Sequence, residues 1–167
     1  MLHHVSVGVR DVERAASFYD AVLGALGYKR VMEFMPYAIG YGDQHPSFWV
    51  QLPHNQQPAA AGNGVHISFI ARNKNAVHRF HASALTKGGT SDGEPGPRPA
   101  YSPDYYGAFV YDLDGNKLEA TVMEMPKVAP KPQAKKATKA KAVKAPVKKS
   151  AKKAAPKKKK AKRKTKR

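Results

Sequence analysis

The chain of 167 residues contains no cysteine, which excludes disulfides and thiolate chemistry. Any bound metal ion must therefore take nitrogen and oxygen ligands. No apolar run approaches the roughly 18–20 residues that span a bilayer. The N-terminus, MLHHVSVGVRD, is too short and too polar for a signal peptide and predicts a strand instead. We therefore expect a cytoplasmic protein without a membrane partner.

Acidic residues are missing from the last quarter of the chain, and this divides the sequence in two. All 12 Asp and Glu lie in residues 1–125 together with 10 of the 30 Lys and Arg, a charge of 10 − 12 = −2. Residues 126–167 hold the other 20 basic residues and no acidic one, a charge of +20. We predict a single domain at 1–125, long enough to bury about two thirds of its unfolded surface. Residues 126–167 are called the basic tail below.

The basic tail also lacks aromatic residues and consists almost only of Lys, Ala, Pro, Val, Thr and Ser. It has too little apolar surface to offset the entropy of ordering, which predicts disorder. Its charge predicts binding to nucleic acid. This binding should be nonspecific, because no aromatic ring is present to stack on a base. The composition resembles the tails of linker histones and of some bacterial nucleoid proteins, which implies association with the nucleoid. The alternatives are a solubilising extension or binding to other polyanions.

The first 125 residues contain an internal repeat. The string HVSVGV begins at His4 and the similar string HISFIA begins at His66. A helical apolar period follows each, from Asp11 to about Leu26 and from about Asn73 to Lys87, with good N-cap residues at Asp11 and Asn73. Strand candidates come next, at Lys29–Met35, Tyr37–Tyr41 and Ser47–Leu52, then near Thr90 and at Gly107–Tyr111 and Lys117–Val122. The sequence predicts an α+β fold of two tandem βαβββ modules, at about 1–57 and 64–125.

Side-chain alternation along these strands points to a candidate site. His4, His66, Gln51 and Glu119 each lie on the strand face opposite the apolar residues. If the two modules pair their sheets, these side chains meet in one concavity. Two imidazoles and a carboxylate suit a divalent ion such as Mn, Fe, Ni, Co or Zn and leave positions open for substrate. The alternative is that each histidine is a hydrogen-bonded structural residue and that Glu119 is solvated.

Three strings resemble the vicinal-oxygen-chelate superfamily, which includes glyoxalases, bleomycin-resistance proteins and extradiol dioxygenases. They are HVSVGVRD with the helix that follows, VHISF, and YYGAFVYDLDGNKLEA. The resemblance covers about residues 2–123 and implies paired βαβββ modules that form a cup around a divalent ion, usually in a dimer. By position, the family's ligands correspond to His4, His66 and Glu119. In glyoxalase I members a fourth ligand, Glu or Gln, corresponds to Gln51.

The resemblance also implies a shared chemistry. The ion chelates two neighbouring oxygens of a small substrate and stabilises developing negative charge as a Lewis acid. In glyoxalase-type isomerisation a metal-bound carboxylate is also the base, which gives Glu119 a catalytic role. Two departures stand against that particular reaction, since Gln51 cannot replace a second carboxylate base and no anion-binding features for glutathione are evident.

Other aromatic and histidine residues are secondary candidates. Pocket walls are expected from Trp49 and from three tyrosines of the proline-rich loop 92–106, with packing or dimer contact as the alternative (Tyr101, Tyr105 and Tyr106). We expect surface or interface positions for His78 and His81, and a structural position on the helix side for His3.

Three functions remain open from the sequence. The first is a metal-dependent lyase, isomerase or dioxygenase acting on a small oxygenated molecule. The second is a binding module that sequesters a small molecule without catalysis. The third is a polyanion-associated protein whose functional part is the basic tail.

Overall fold

The structure, a computed structural model, describes residues 2–123, so the predictions for the basic tail lie outside the described residues. The strands are β1 (Val5–Gly8), β2 (Lys29–Phe34), β3 (Ala38–Gly42), β4 (Pro46–Gln51), β5 (His66–Ile70), β6 (Thr90–Pro97), β7 (Tyr105–Tyr111) and β8 (Lys117–Met123), and the helices are α1 (Val12–Gly24) and α2 (Lys74–Thr86). This order confirms an α+β fold of two tandem βαβββ modules. None of the helices in the described part of the chain is long and apolar enough to cross a membrane.

Each module forms its own four-stranded mixed sheet. The strand orders are β1-β4-β3-β2 and β5-β8-β7-β6, so the two sheets have the same topology. In each sheet the first strand of the module runs parallel to the last strand, and the other pairs are antiparallel. β5 and β8 therefore lie side by side, which places the second histidine string next to the strand that carries Glu119.

The two helices begin where the sequence predicts. The Asp11 side chain accepts a hydrogen bond from the Arg14 N–H, and the Asn73 side chain accepts one from the Ala76 N–H, each at 2.9 Å. These bonds satisfy N–H groups that have no partner within the first turn of a helix. The two helices pack against each other, α1 on the first sheet and α2 on the second.

One apolar core fills the space between the helices and the sheets. Phe48 of the first module and Phe69 of the second meet edge to face with ring centroids 5.1 Å apart. Side-chain alternation with Ile67 and Phe69 predicts a core position for Val65, and this is wrong, since Val65 precedes β5 and is 60% exposed. Leu85 is likewise exposed, whereas His81, expected at the surface, is buried and hydrogen-bonds to the Ser91 hydroxyl.

The turn between β7 and β8 ties the second module to the first. The buried Tyr19 hydroxyl of α1 donates a hydrogen bond of 2.6 Å to Asp112. Asp112 also accepts bonds from the backbone N–H groups of Asp114 and Asn116. The Asn116 side chain donates to the Gly8 carbonyl of β1 at 3.1 Å. The start of β8 is thus fixed against the end of β1.

Candidate metal centre

Glu119 and His66 approach each other on the face of the second sheet that lies away from the helices. Glu119 is only 1% exposed, and the two residues that flank it in β8, Leu118 and Ala120, belong to the core on the other face. Glu119 Oε2 lies 3.4 Å from His66 Nε2, and the His66 side chain is half exposed. The carboxylate is therefore buried while the imidazole reaches the solvent.

Tyr105 holds the other oxygen of the same carboxylate. Its hydroxyl donates a hydrogen bond of 2.5 Å to Glu119 Oε1. Burial and then this hydrogen bond raise the pKa of Tyr105, so the phenol stays a donor at neutral pH. A Cβ added at Gly107 would lie 2.9 Å from Glu119 Oε1, so the glycine leaves the space that the carboxylate occupies. Tyr101 packs edge to face on Tyr105 with ring centroids 5.2 Å apart.

The pair of His66 and Glu119 fits two positions in the coordination shell of one divalent ion. A ligand distance of about 2.1 Å and a tetrahedral angle put two ligand atoms about 3.4 Å apart. The observed 3.4 Å between Nε2 and Oε2 matches this spacing. A hydrogen bond from Tyr105 to the second carboxylate oxygen is the kind of contact that orients a ligating carboxylate.

The first module does not repeat this arrangement, because a tryptophan occupies the position that the carboxylate has in the second module. Ser68 lies opposite Glu119 in the second module, whereas the equivalent Ser6 lies opposite Trp49 in the first. Trp49 therefore takes the place of the carboxylate, and its ring stacks on Phe34 at 6.1 Å between centroids. Gln51 lies opposite Gly8 instead.

His4 and Gln51 are separated from each other. Four residues of strand separate His4 from Gly8, the partner of Gln51, which is about 13 Å. His4 Nδ1 lies 2.8 Å from Nδ1 of the exposed His3, so His3 contacts His4 and does not pack on the helix side. His4 does share with His66 the lining of a cavity of about 430 Å³, while Gln51 lines a different one. Within residues 2–123 no three His, Asp or Glu side chains are positioned to hold a metal.

The three loop tyrosines have different environments. Tyr105 contacts Glu119 and Tyr101 covers Tyr105, as described above. Tyr106 points to the other face of β7, where its hydroxyl lies 2.8 Å from His78 Nε2 of α2. His78 is exposed, in agreement with the surface position expected for it. Tyr106 is not part of the centre around Glu119.

The sequence interpretation missed a cationic group beside this centre. The Arg98 guanidinium lies 5.5 Å and the Lys117 ammonium 5.2 Å from the centroid of the Phe109 ring. Phe109 is the direct cross-strand neighbour of Glu119. Strand alternation could have placed Lys117 on the Glu119 face, but nothing in the sequence of the loop indicates the position of Arg98.

Comparison with known proteins agrees with the fold. The sequence model of the Glyoxalase/Bleomycin resistance protein/Dioxygenase superfamily matches residues 1–120. A glyoxalase/bleomycin resistance protein from Albidiferax ferrireducens T118 is 37% identical over 73% of this chain and 98% of its own, with a TM-score of 0.68. No curated protein matches the chain.

Two more distant structures share the fold. A glyoxalase-related enzyme from Fulvimarina pelagi is 20% identical over 73% of this chain and 87% of its own, with a TM-score of 0.58. A lactoylglutathione lyase from Agrobacterium tumefaciens is 17% identical over 73% of this chain and 92% of its own, with a TM-score of 0.52. The extent of the family match and the 37% identity of the first relative establish that this chain belongs to the glyoxalase/bleomycin resistance protein/dioxygenase superfamily.

Proposed function

We propose that this protein is a metal-dependent member of its superfamily that binds a small oxygenated substrate through two neighbouring oxygens. The single observation that carries the proposal is the 3.4 Å spacing of His66 Nε2 and Glu119 Oε2 on the open face of the second sheet. The bound ion would be Mn, Fe, Ni, Co or Zn, since the donors are nitrogen and oxygen. When present, it would supply Lewis-acid stabilisation of negative charge on the substrate.

Side chains of the protein would bind the ion, accept a proton from the substrate and orient the carboxylate. His66 and Glu119 would hold the ion, and Glu119 would also accept a proton from the substrate. The hydrogen bond from Tyr105 keeps Glu119 Oε1 in one orientation and leaves Oε2 directed to His66. Burial of the carboxylate keeps water away from the atom that would move the proton, which suits the lyase, isomerase or dioxygenase chemistry proposed for it.

Metal content of the purified full chain, after exposure to each of the five ions, tests this proposal. We expect near-stoichiometric metal in the wild type and its loss in His66→Ala and in Glu119→Gln, which keeps an acceptor for Tyr105. His54→Ala removes an exposed histidine from a loop outside the centre and serves as the matched control. A wild-type chain that stays metal-free with all five ions would refute metal dependence. A loaded chain would justify a screen of diketones, thiohemiacetals and catechols.

His4 is proposed as the ligand that completes the site, from the same chain or from the second subunit of a dimer, and Gln51 is the alternative ligand, since the two lie about 13 Å apart along the sheet. Mixing His4→Ala chains with His66→Ala chains separates the two arrangements once each variant alone has lost its metal. If the site is shared between subunits, mixed dimers regain one intact site and bind metal again. If His4 acts within its own chain, the mixture stays metal-free. Gln51→Ala, measured alone, reports whether the glutamine is a ligand.

A non-catalytic binding module is the second candidate, and the first module favours it. Trp49 stands at the position equivalent to Glu119, and an indole ring cannot replace a carboxylate as a metal ligand. This reading predicts a metal-free chain that still binds a small molecule. Trp49 reports such binding directly, because it is the only tryptophan of the chain and its fluorescence would change.

The basic tail adds a separate proposed activity, nonspecific binding to nucleic acid, which the charge of +20 supports. If about ten lysines meet phosphates, the logarithm of the binding constant falls with the logarithm of salt concentration at a slope of roughly −9. A chain truncated after Met125 should lose retention on DNA and keep its metal content. Retention of the truncated chain, or binding that ignores salt, would contradict the proposal.

A further inference from the structure

The guanidinium group of Arg98 is fixed beside the candidate metal centre. Nη2 donates a hydrogen bond of 2.7 Å to the Glu94 carbonyl, and Nη1 donates one of 3.1 Å to the Pro97 carbonyl. The group also lies over the Phe109 ring. A guanidinium has five N–H donors, so three remain for a ligand. Because its orientation is already set, binding would cost little side-chain entropy.

Two glycines of β6 leave the space in which this guanidinium lies. A Cβ added at Gly93 would be 3.2 Å from Arg98 Nη2, and one added at Gly96 would be 3.1 Å from Nη1. Both contacts are tighter than ordinary van der Waals separation. The glycines therefore leave room for the guanidinium, and its hydrogen bonds to the Glu94 and Pro97 carbonyls hold it there.

Arg98 lies on the same face of the second sheet as Glu119. Phe109 and Glu119 are direct partners in neighbouring strands, and such partners project to the same side with Cβ atoms about 5 Å apart. The His66 ring meets the Phe109 ring edge to face at 6.3 Å between centroids. The Cβ spacing, the length of the Phe109 side chain and the 5.5 Å from its ring centroid to the guanidinium together place Arg98 on the order of 10 Å from Glu119.

Among residues 2–123, no carboxylate forms an ion pair that would neutralise the positive charge of Arg98. Lys117, the other cation over Phe109, lies 2.6 Å from Asp92, and this hydrogen bond raises the pKa of Lys117. Arg98 has no ion-pair partner among the residues that the structure describes. A fixed cation without a partner, beside an aromatic ring and a candidate ligand pair, has the character of a preformed site for an anionic group.

We propose that Arg98 binds a carboxylate of the substrate, so that the substrate is a small organic acid with this carboxylate remote from its two chelating oxygens. This proposal rests on the proposed function, because it assumes that the two chelating oxygens lie at an ion held by His66 and Glu119. A separation on the order of 10 Å between Arg98 and Glu119 leaves room for an ion and a chain of about three or four carbons. Arg98 would then determine which oxygenated compounds bind.

Two acids of equal chain length test the proposal. Both 2-oxopentanedioate and 2-oxopentanoate carry the same pair of neighbouring oxygens, and only the first has a remote carboxylate. Titration calorimetry of the full chain, with and without metal, should show that the diacid binds roughly tenfold or more tightly than the monoacid. Arg98→Met should remove this preference and leave the affinity for the monoacid and the metal content unchanged. Gly96→Ala should weaken the preference by displacing the guanidinium.

The control is Arg79→Met, which removes the same charge from α2, where Arg79 contacts the Ala25 carbonyl. This variant should keep the full preference for the diacid over the monoacid. The basic tail is identical in all the chains, so any attraction of the tail for the diacid cancels when the variants are compared. A preference that survives Arg98→Met, or a wild type that binds both acids equally or neither, would overturn the assignment. If metal never binds, the metal proposal fails by itself, and the Arg98-dependent preference is then measured on the metal-free chain.

Discussion

Tyr19 is the residue whose replacement should report most directly on the contact between the two modules. Its ring is fully buried, and its hydroxyl donates a hydrogen bond of 2.6 Å to Asp112 in the other module. At neutral pH, Tyr19→Phe removes a bond to a charged group and should lower the free energy of unfolding by about 1.5–3 kcal/mol. Urea unfolding of the full chain, followed by Trp49 fluorescence, measures this difference.

The same difference should depend on pH in a defined direction. Burial, and then the negative charge of Asp112, raises the pKa of Tyr19 well above its usual 10. The stabilising effect is therefore complete below about pH 10 and is lost at higher pH, because only the unfolded tyrosine ionises there. At pH 11 the wild type should lose about 1.4 kcal/mol that Tyr19→Phe does not lose.

The stability difference between wild type and variant should therefore shrink by about 1.4 kcal/mol from pH 8 to pH 11. Lysines and the other tyrosines titrate in both proteins, so their effects cancel in the comparison. A difference that stays constant over this range would refute the assignment of Tyr19 as a buried, neutral donor. A difference below about 0.5 kcal/mol at pH 8 would show that the bond to Asp112 contributes little.

Three further substitutions test the centre, a helix start and the turn. Gly107→Ala should reduce metal uptake and lower the free energy of unfolding by about 1–3 kcal/mol, because the added Cβ would meet Glu119. The control is Gly24→Ala, where an added Cβ meets nothing within 4 Å. Asp11→Ala should lower thermal stability by about 1 kcal/mol through loss of the α1 N-cap. Asn116→Ala should cost about 1–3 kcal/mol in urea unfolding, because the Gly8 carbonyl loses its side-chain donor.

The secondary structure and the duplicated topology were predictable because they depend on local patterns. Helical periodicity and the N-cap residues Asp11 and Asn73 place both helices within two residues of their observed starts. Alternation assigns the correct face to Val7, Val9 and Phe48. These features arise from residues a few positions apart, so they can be recognised without knowledge of the packing.

Register was not predictable, and it changed the candidate site most. A shift of two residues along a strand keeps every side chain on its face, so alternation cannot distinguish Gln51 from Trp49 as the counterpart of Glu119. The structure pairs Trp49 with Ser6 and so leaves Gln51 beside Gly8. Alternation also could not assign Tyr105 and Tyr106, because the predicted strand began only at Gly107, whereas β7 begins at Tyr105.

The sequence by itself therefore determined the two βαβββ modules and the concentration of positive charge in residues 126–167, and it predicted His66 and Glu119 as ligands. The tertiary structure decided which side chains meet, bringing His66, Glu119 and Tyr105 together, while His4 contacts His3. It also placed Arg98 over Phe109, from a loop without periodicity. The physical reason is that periodicity specifies a face, whereas contacts between distant segments depend on strand register and loop path.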